Sequence, residues 1–328
     1  MSYDVVTLGR ISVDIYPDDV GVGLEDVTTF RKYLGGSPSN VAVAAARHGE
    51  STAVITRTGD DPFATFLHRE LTRYGVDDRF VSAVPGLQTP ATFCAIRPPE
   101  DFPLYFYGRF PTAPDLQIRP EEIDTEVVAD TRILWSTVTG LCQEPSRAAH
   151  FAAHEARPRE QLRADQHTIL DLDYRPMFWE SEEDARAQVH ELLQHVTIAI
   201  GNDKECAVAV GEGTPDEQAD RLLEAGVRIA VVKLGPEGVM AKTRDERVVS
   251  APVPVETVNG LGAGDSFGGA FCHGINQGWS LEQVLDYANA SGAIVASKIS
   301  CSDAMPTPAE VFQLLRERGR TVAEGATR

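Results

Sequence analysis

The chain has 328 residues and carries 30 Lys plus Arg against 49 Asp plus Glu, a formal net charge of −19. A field of that sign repels nucleic acid and anionic membranes, so neither is predicted as a partner. The five cysteines include no C-x-x-C pair, and neither a membrane-length apolar run nor a signal-peptide pattern is visible. These features predict a cytoplasmic protein with reduced thiols.

Short apolar runs alternate with helical patterns along most of the chain. Ser37 opens a helical pattern that Gly49 ends, and Asp60 opens another that ends at Gly75. This alternation predicts an α/β fold in which helices cover both faces of a parallel sheet. The strand candidates are 4–8, 53–56, 133–136, 168–171, 197–200 and 229–233.

One stretch departs from the alternation. Segments 91–97 and 103–110 read as two strands with no helix between them, which predicts a hairpin outside the main sheet. With the irregular segment 11–33 the hairpin could form a small flap over a site, or it could be an ordinary edge hairpin. The small and polar residues 319–328 predict a loose C-terminal tail.

The sharpest motif is the run from Asn259 to Asp265, which precedes a helical pattern. Backbone N–H groups at a helix start bind anions, so Gly262, Ala263 and Gly264 are predicted to form an anion hole. Asp265 in the first helical turn is then placed to act as a general base, ionised by the helix dipole. The alternative is a tight turn in which Asp265 only caps the helix.

Two separated motifs resemble the signatures of the ribokinase-like (PfkB) family of carbohydrate kinases. They are Gly35-Gly36-Ser37-Pro38-Ser39-Asn40 and Gly262-Ala263-Gly264-Asp265, within a match from about residue 8 to 308. The resemblance implies a ribokinase-like three-layer sandwich with a mostly parallel central sheet and a small β lid. It also implies one kinase domain, 1–318, whose lid comprises about 11–36 and 89–113.

The resemblance implies roles for residues that have ordinary structural explanations too. Turn formation is the alternative for the sugar-side residues, helix packing for the segment around Asn289, and a capping box for the Asn202 and Glu205 pair. The implied sugar ligands are Asp14, Gly35, Gly36 and Asn40; the implied ATP ligands are Asn202, Lys233, Gly235, Gly238 and Asn289; Asn202 and Glu205 are the implied Mg²⁺ ligands, acting through water.

The segment from Asp171 to Trp179 resembles an element of sugar-acid kinases within the family. Arginine can clamp a carboxylate or a phosphate through two hydrogen bonds, so Arg175 is a candidate for an anionic group of the substrate or nucleotide, with Asp173 two residues before it in a substrate-binding role. Arg109 is a second candidate, for a substrate carboxylate. The alternative for each arginine is an ordinary salt bridge.

Further local resemblances imply ATP-dependent phosphorylation of 5-dehydro-2-deoxy-D-gluconate at its 6-hydroxyl, a step of inositol catabolism. A 2-keto-3-deoxygluconate kinase, a fructokinase, a nucleoside kinase and a non-catalytic sugar-binding regulator are the alternatives.

Asn259 stands where the family often has an aspartate at a monovalent-cation site, which predicts weak or absent K⁺ dependence. An exposed lid edge could pair two copies into a homodimer. The short segments that carry the resemblance to a kinase of 5-dehydro-2-deoxy-D-gluconate are 8–10, 23–27, 102–107, 113–116 and 300–306.

Overall fold

Two β-sheets organise the chain. The computed structural model describes residues 2–98, 101–320 and 322, and in that part a ten-stranded sheet lies beside a four-stranded one. In chain order the strands are β1 (Val5–Leu8), β2 (Ser12–Pro17), β3 (Phe30–Gly35), β4 (Thr52–Gly59), β5 (Val76–Asp77), β6 (Val81–Val84), β7 (Ala91–Cys94), β8 (Leu104–Tyr107), β9 (Ile133–Thr137), β10 (His167–Asp171), β11 (Ile198–Asn202), β12 (Ile229–Lys233), β13 (Val239–Lys242) and β14 (Arg247–Ser250).

The large sheet is mostly parallel, as the alternating pattern predicted. Its order is β14-β13-β12-β11-β10-β9-β1-β4-β5, with β6 also on β4, and only the β12–β13 and β13–β14 pairs are antiparallel. Successive residues of a strand enter cores on opposite faces: Ile169 packs into one and Leu170 into the other. Both faces are therefore buried, which explains why these strands are continuous apolar runs.

Helices cover the large sheet in two outer layers. The face that receives Ile169 is covered mainly by α1, α8, α9 and α10, and the opposite face by α4 to α7. No helix in the described residues is long and apolar enough to cross a bilayer. The helices are α1 (Ser37–Arg47), α2 (Pro62–Tyr74), α3 (Thr125–Asp130), α4 (Ser146–Glu155), α5 (Glu182–Leu192), α6 (Asp203–Val210), α7 (Pro215–Glu224), α8 (Ala263–Asn276), α9 (Leu281–Ala296) and α10 (Pro308–Glu317).

The four-stranded sheet has the order β3-β2-β7-β8. Its strands lie within segments 11–36 and 89–113, and β7 and β8 form the antiparallel hairpin that the sequence predicted. Strand β2 pairs with β3 on one side and β7 on the other, so the two segments join into one sheet. Phe102 near the hairpin tip packs over Gly260, next to α8, so the small sheet reaches the loop that carries the Gly262 motif.

The described part of the predicted loose tail is attached to the domain. Arg320 forms a 3.2 Å ion pair with Asp286 and donates to the carbonyl of Ala251 at 2.9 Å. Residues 321 and 323–328 lie outside the described residues. The chain is thus held against the domain through Arg320, the second residue of the stretch 319–328 that was predicted to be loose.

Close packing of α1 against α8 sets the position of Asp265. A Cβ atom on Gly269 would lie 2.3 Å from the Cβ of Ala44 and 2.6 Å from the backbone nitrogen of Ala45. Helix α8 can approach α1 this closely only because the position lacks a side chain. The first turn of α8, which carries Asp265, therefore lies beside the first turn of α1.

We predict that Gly269→Ala destabilises the fold by about 1–3 kcal/mol or more, because the new methyl group pushes α8 away from α1. Turnover should fall as well, since the same shift moves Asp265 away from α1. Thermal unfolding and initial rates measure both effects. Gly213→Ala is the control, since a Cβ there meets only the flexible side chains of Glu217 and Arg221. Equal melting temperatures for Gly269→Ala and the control would contradict the packing argument.

Candidate active site

Polar side chains gather where four parallel strands end. The carboxyl ends of β1, β10, β11 and β12 lie at one edge of the sheet, which is the usual ligand side of such sheets. Asp171, Asn202 and Lys233 are the last residues of three of these strands, and Arg10 follows β1. They line a cavity of about 240 Å³ that the small sheet covers with Leu104 and Phe106.

Asp265 projects into this cavity from the first turn of α8. Its carboxylate accepts one hydrogen bond from Ser37 Oγ at 2.8 Å and one from Asn40 Nδ2 at 2.8 Å, both from α1. Burial raises the pKa of Asp265 above its ordinary value, against the effect of these two donors. The sequence predicted a carboxylate kept ionised by the helix dipole; desolvation works in the opposite direction and makes Asp265 a stronger base.

The start of α8 presents free backbone donors beside Asp265. Gly262 is the N-cap with φ of 77°, and a Cβ there would lie 2.0 Å from Cys301 Sγ, so glycine is required for both conformation and space. The N–H groups of Ala263 and Gly264 belong to the first turn, where no intrahelical acceptor exists. Lys233 Nζ lies 3.6 Å from where a Gly264 Cβ would be. The arrangement therefore suits an anion such as a phosphate group.

Asp14 lies on strand β2 and lines the same cavity. Ser12 Oγ and Tyr16 OH each donate to it at 3.0 Å, and burial raises its pKa to about 6. Gly35 does not line the cavity, but a Cβ on it would lie 2.0 Å from Asp14 Cγ, so its missing side chain makes room for the carboxylate. Gly36 does line the cavity.

Two arginines share one carboxylate in the cavity. Asp173 accepts from Arg10 Nη2 at 2.9 Å and lies 2.6 Å from Arg175 Nη2. Burial alone would raise the pKa of Asp173, but the positive charges of Arg175 and Arg10 outweigh that effect and lower it. The trio Arg10–Asp173–Arg175 therefore carries two positive charges and one negative charge.

Asn202 and Glu205 form the capping box of α6. Glu205 Oε2 accepts from the Asn202 N–H at 2.8 Å, and Asn202 Oδ1 accepts from the Glu205 N–H at 2.9 Å. Both residues also line the cavity, so the structural and ligand-binding explanations are compatible. Lys233 Nζ lies 4.0 Å from Glu205 Oε2.

A second cavity of about 650 Å³ continues from the first and contains the remaining predicted nucleotide residues. The two cavities share Lys233, Gly260 and Gly264. Asn289 Nδ2 donates to Ser250 Oγ at 2.9 Å, which fixes its side chain at the wall. The predicted residues that line this cavity are Lys233, Gly235, Gly238, Ala263, Gly264 and Asn289.

Arg109 does not line the cavity that contains Asp265. Its guanidinium donates two hydrogen bonds to Asp115, at 2.9 and 3.1 Å, and both side chains are almost completely buried. The ring of Phe178 lies against it, 4.7 Å from the guanidinium carbon. Arg109 was predicted to bind a substrate carboxylate. In the structure the carboxylate that it binds is that of Asp115, from the protein itself.

Several residues that line the cavity were absent from the predicted site, among them Ser37, Asp171 and Arg10. Ser37 stood inside the first signature and Asp171 at a predicted strand end, so both had a signal in the sequence. Arg10 follows Gly9 just after the first strand, a position that favours ligand contact in parallel sheets. The guanidinium of Arg10 is held by Asp173, which is 163 residues away in the chain.

Comparison with known proteins identifies the fold and family. Residues 2–308 match the pfkB family of carbohydrate kinases. The chain belongs to this family. A 5-dehydro-2-deoxygluconokinase of Geobacillus kaustophilus (strain HTA426) is 32% identical over 320 residues, which cover 96% of this chain and 94% of that protein. One of Clostridium tetani (strain Massachusetts / E88) is 31% identical over 322 residues, covering 96% and 93%.

Solved structures share the ribokinase-like fold. An E. coli protein described as a ribokinase II, in complex with ATP and Mg²⁺, aligns with a TM-score of 0.85 at 23% identity, covering 97% of this chain and 100% of that one. A fructokinase of Vibrio cholerae O395 with fructose, ADP and calcium aligns at 0.82 and 23%, covering 96% and 100%. Because residues 2–308 match the pfkB family and its kinase relatives are about a third identical, this pfkB protein is a phosphotransferase that acts on a sugar hydroxyl.

The raised pKa of Asp14 predicts a pH-dependent stability cost. Its pKa is about 6 in the fold against 3.8 ordinarily, so ionised Asp14 destabilises the fold. The cost is absent below about pH 4, grows as pH rises towards about 6, and then stays at roughly 3 kcal/mol, from 1.36 kcal/mol per pKa unit. Asp14→Asn should therefore gain stability relative to the wild type over that pH range.

Thermal unfolding of Asp14→Asn and wild type at several pH values measures this difference. The change with pH is the readout, because any constant offset reflects altered hydrogen bonds with Ser12 and Tyr16. Asp19→Asn, in an exposed position, is the control for losing one carboxylate. A stability difference that stays constant across the range would contradict the prediction.

Proposed function

We propose that this chain transfers the γ-phosphate of ATP to the 6-hydroxyl of 5-dehydro-2-deoxy-D-gluconate, in inositol catabolism. The observation that carries the proposal is Asp265, a half-buried carboxylate held by Ser37 and Asn40 beside free N–H groups of α8. The substrate assignment is supported by relatives of that activity at 31–32% identity over nearly the whole chain.

Asp265 takes the proton of the substrate hydroxyl as the general base. Phosphoryl transfer requires mainly alignment and neutralisation of charge on the transferred group. Ser37 and Asn40 hold both oxygens of Asp265, so the carboxylate points into the cavity before substrate arrives. The N–H groups of Ala263 and Gly264 then bind the oxygens of the transferred phosphate, with Lys233 alongside.

The sugar acid binds between the small sheet and the strand ends. Asp14 accepts hydrogen bonds from sugar hydroxyls, Gly36 allows close approach to the backbone, and Asn40 lies beside the reacting hydroxyl. Arg175 and Asp173 line the same cavity, where Arg175 can bind an anionic group. The adenine of ATP occupies the second cavity beside Asn289, with Gly235 and Gly238 along the phosphates.

Mg²⁺ fits the carboxylate oxygens beside Lys233. Asp171 Oδ1 is buried and has no hydrogen-bond partner among the described residues, and Glu205 lines the same wall. Among those residues no group of three His, Cys, Asp or Glu side chains could hold a metal directly. Asn202, Glu205 and Asp171 would hold the ion largely through water, and the ion would neutralise charge on the phosphates.

The base assignment predicts that Asp265→Asn loses at least ~10²-fold in turnover, the usual size of a general-base contribution. A coupled ADP-release assay measures this, with 5-dehydro-2-deoxy-D-gluconate, 2-keto-3-deoxygluconate, fructose and a nucleoside as acceptors. Asp303→Asn, outside the cavity, is the control for removing an aspartate. Undiminished turnover in Asp265→Asn would contradict the general-base mechanism. Activity on fructose alone would contradict the substrate assignment.

The environment of Asn259 supports little or no activation by K⁺. Its side chain is buried; Nδ2 donates to the carbonyl of Ile299 at 2.7 Å and Oδ1 accepts from the Leu261 N–H at 3.1 Å. The side-chain N–H group of Asn259 therefore already donates to the Ile299 carbonyl, which could otherwise coordinate a cation.

We predict that replacing tetramethylammonium with K⁺ leaves the rate of the wild type almost unchanged. Asn259→Asp should acquire K⁺ dependence, because the buried carboxylate has lost the donor and gains from a cation. Rates at matched ionic strength measure both. A large K⁺ activation of the wild type would refute the prediction.

A homodimer formed through the small sheet and a cytoplasmic location also remain predictions. Tyr105 and Tyr107 on the edge strand β8 are 45% and 60% exposed, which gives this edge an apolar surface that a second copy could cover.

A further inference from the structure

Arg10 is the most completely buried cation of the cavity. It is 7% exposed, and its Nε has no hydrogen-bond partner among the described residues. A guanidinium has five N–H donors, and the structure gives Arg10 a single side-chain hydrogen bond, to Asp173. Burying a charged group with unused donors is costly, so an additional partner is expected at this position.

The backbone of Arg10 is fixed by its neighbours. Its carbonyl accepts from Ser39 Oγ at 3.1 Å and would lie 2.6 Å from a Cβ on Gly36. The guanidinium lies 5.8 Å from the centre of the Phe106 ring on β8. Arg10 is thus held between the first turn of α1 and the small sheet, inside the cavity that contains Asp265 and Asp14.

The charge count around Asp173 favours an anionic ligand. Arg10 and Arg175 both pair with this one carboxylate, so the trio has one positive charge in excess. The carboxylate of a sugar acid would pair directly with that charge, whereas with a neutral sugar only the carboxylates of Asp14 and Asp265, which are not hydrogen-bonded to Arg10, would face it. A buried arginine discriminates strongly between such ligands because the charge-assisted hydrogen bonds exist for only one of them.

The other cations of this region have different neighbours. Arg109 is already doubly bonded to Asp115 outside the cavity. Lys233 lies beside Gly264, on the side shared with the second cavity. Arg175 has a side chain that is 35% exposed and lies between the cavity and an outer groove. Arg10 is therefore the deepest of the arginines that face the sugar.

We propose that Arg10 binds the substrate carboxylate and determines the preference for a sugar acid over a neutral sugar. This inference rests on the proposed function. The N–H groups of Arg10 that Asp173 does not use donate to the carboxylate, while Asp173 holds the guanidinium in place. Arg175 flanks the same carboxylate from the solvent side.

The test compares two acceptors in the ADP-release assay. One is 5-dehydro-2-deoxy-D-gluconate, and the other is its neutral analogue with a hydroxymethyl group in place of the carboxylate. The ratio of their kcat/KM values is measured for wild type, Arg10→Gln, Arg10→Lys and Arg109→Gln. The last is a matched control, because it also removes a buried guanidinium that is paired with an aspartate.

We expect Arg10→Gln to lower the acid-to-neutral ratio by about 10- to 100-fold, the size of a lost charge-assisted contact, with a smaller change for the neutral analogue. Arg10→Lys, which keeps the charge, should give an intermediate ratio and provides the readout if Arg10→Gln does not fold. Arg109→Gln should keep the wild-type ratio. Calorimetry with the sugar acid alone should show the same loss of affinity in Arg10→Gln.

Two results would overturn the Arg10 assignment while leaving the proposed function intact. One is a wild-type preference for the acid that Arg10→Gln and Arg10→Lys retain. The other is an equal loss on both acceptors, which would mean that Arg10 acts only by positioning Asp173. A wild type without preference for the acid would instead remove the proposed substrate class, and the Arg10 assignment with it.

Discussion

The contact between α1 and α8 is the constraint on which the site depends. Ser37 and Asn40 come from the first, Asp265 from the second, and all three meet because small residues allow the helices to approach closely. Gly269 lies against Ala44, and Gly268 would place a Cβ 2.6 Å from the Trp135 ring of the central sheet. The same packing that buries apolar surface therefore orients the carboxylate, so stability and base geometry have one origin.

The cavity concentrates positively charged side chains within a protein whose net charge is negative. The overall charge of −19 opposes the approach of a sugar acid or a nucleotide. Arg10, Arg175 and Lys233 are concentrated at the strand ends, together with the free N–H groups of α8, and they act at short range in a poorly hydrated environment. Mg²⁺ would add further positive charge beside Glu205 and Asp171. These groups provide donors for an anion within a protein of negative net charge.

Two carboxylates of the cavity, Asp14 and Asp265, have raised pKa values that lower the stability of the fold when they are ionised. Burial raises the pKa values of Asp14 and Asp265, which means that their ionised forms are disfavoured in the fold. Each keeps two side-chain donors that partly offset this cost. A carboxylate in such surroundings holds a proton more strongly than one in water, and that property suits Asp265 to the general-base role proposed for it.

Features that depend on local spacing could be predicted from the amino-acid sequence. The alternating apolar runs specify a parallel sheet covered on both faces, the Asn202 and Glu205 spacing specifies a capping box, and the two glycine signatures identify the family. Side-chain partners were decided by the tertiary structure, because they join distant segments: Ser37 and Asp265 are 228 residues apart, and Arg10 and Asp173 are 163 apart. Arg109 had a partner only six residues away, yet composition could not show that Asp115 and not a substrate would neutralise it, since that depends on how the chain folds between them.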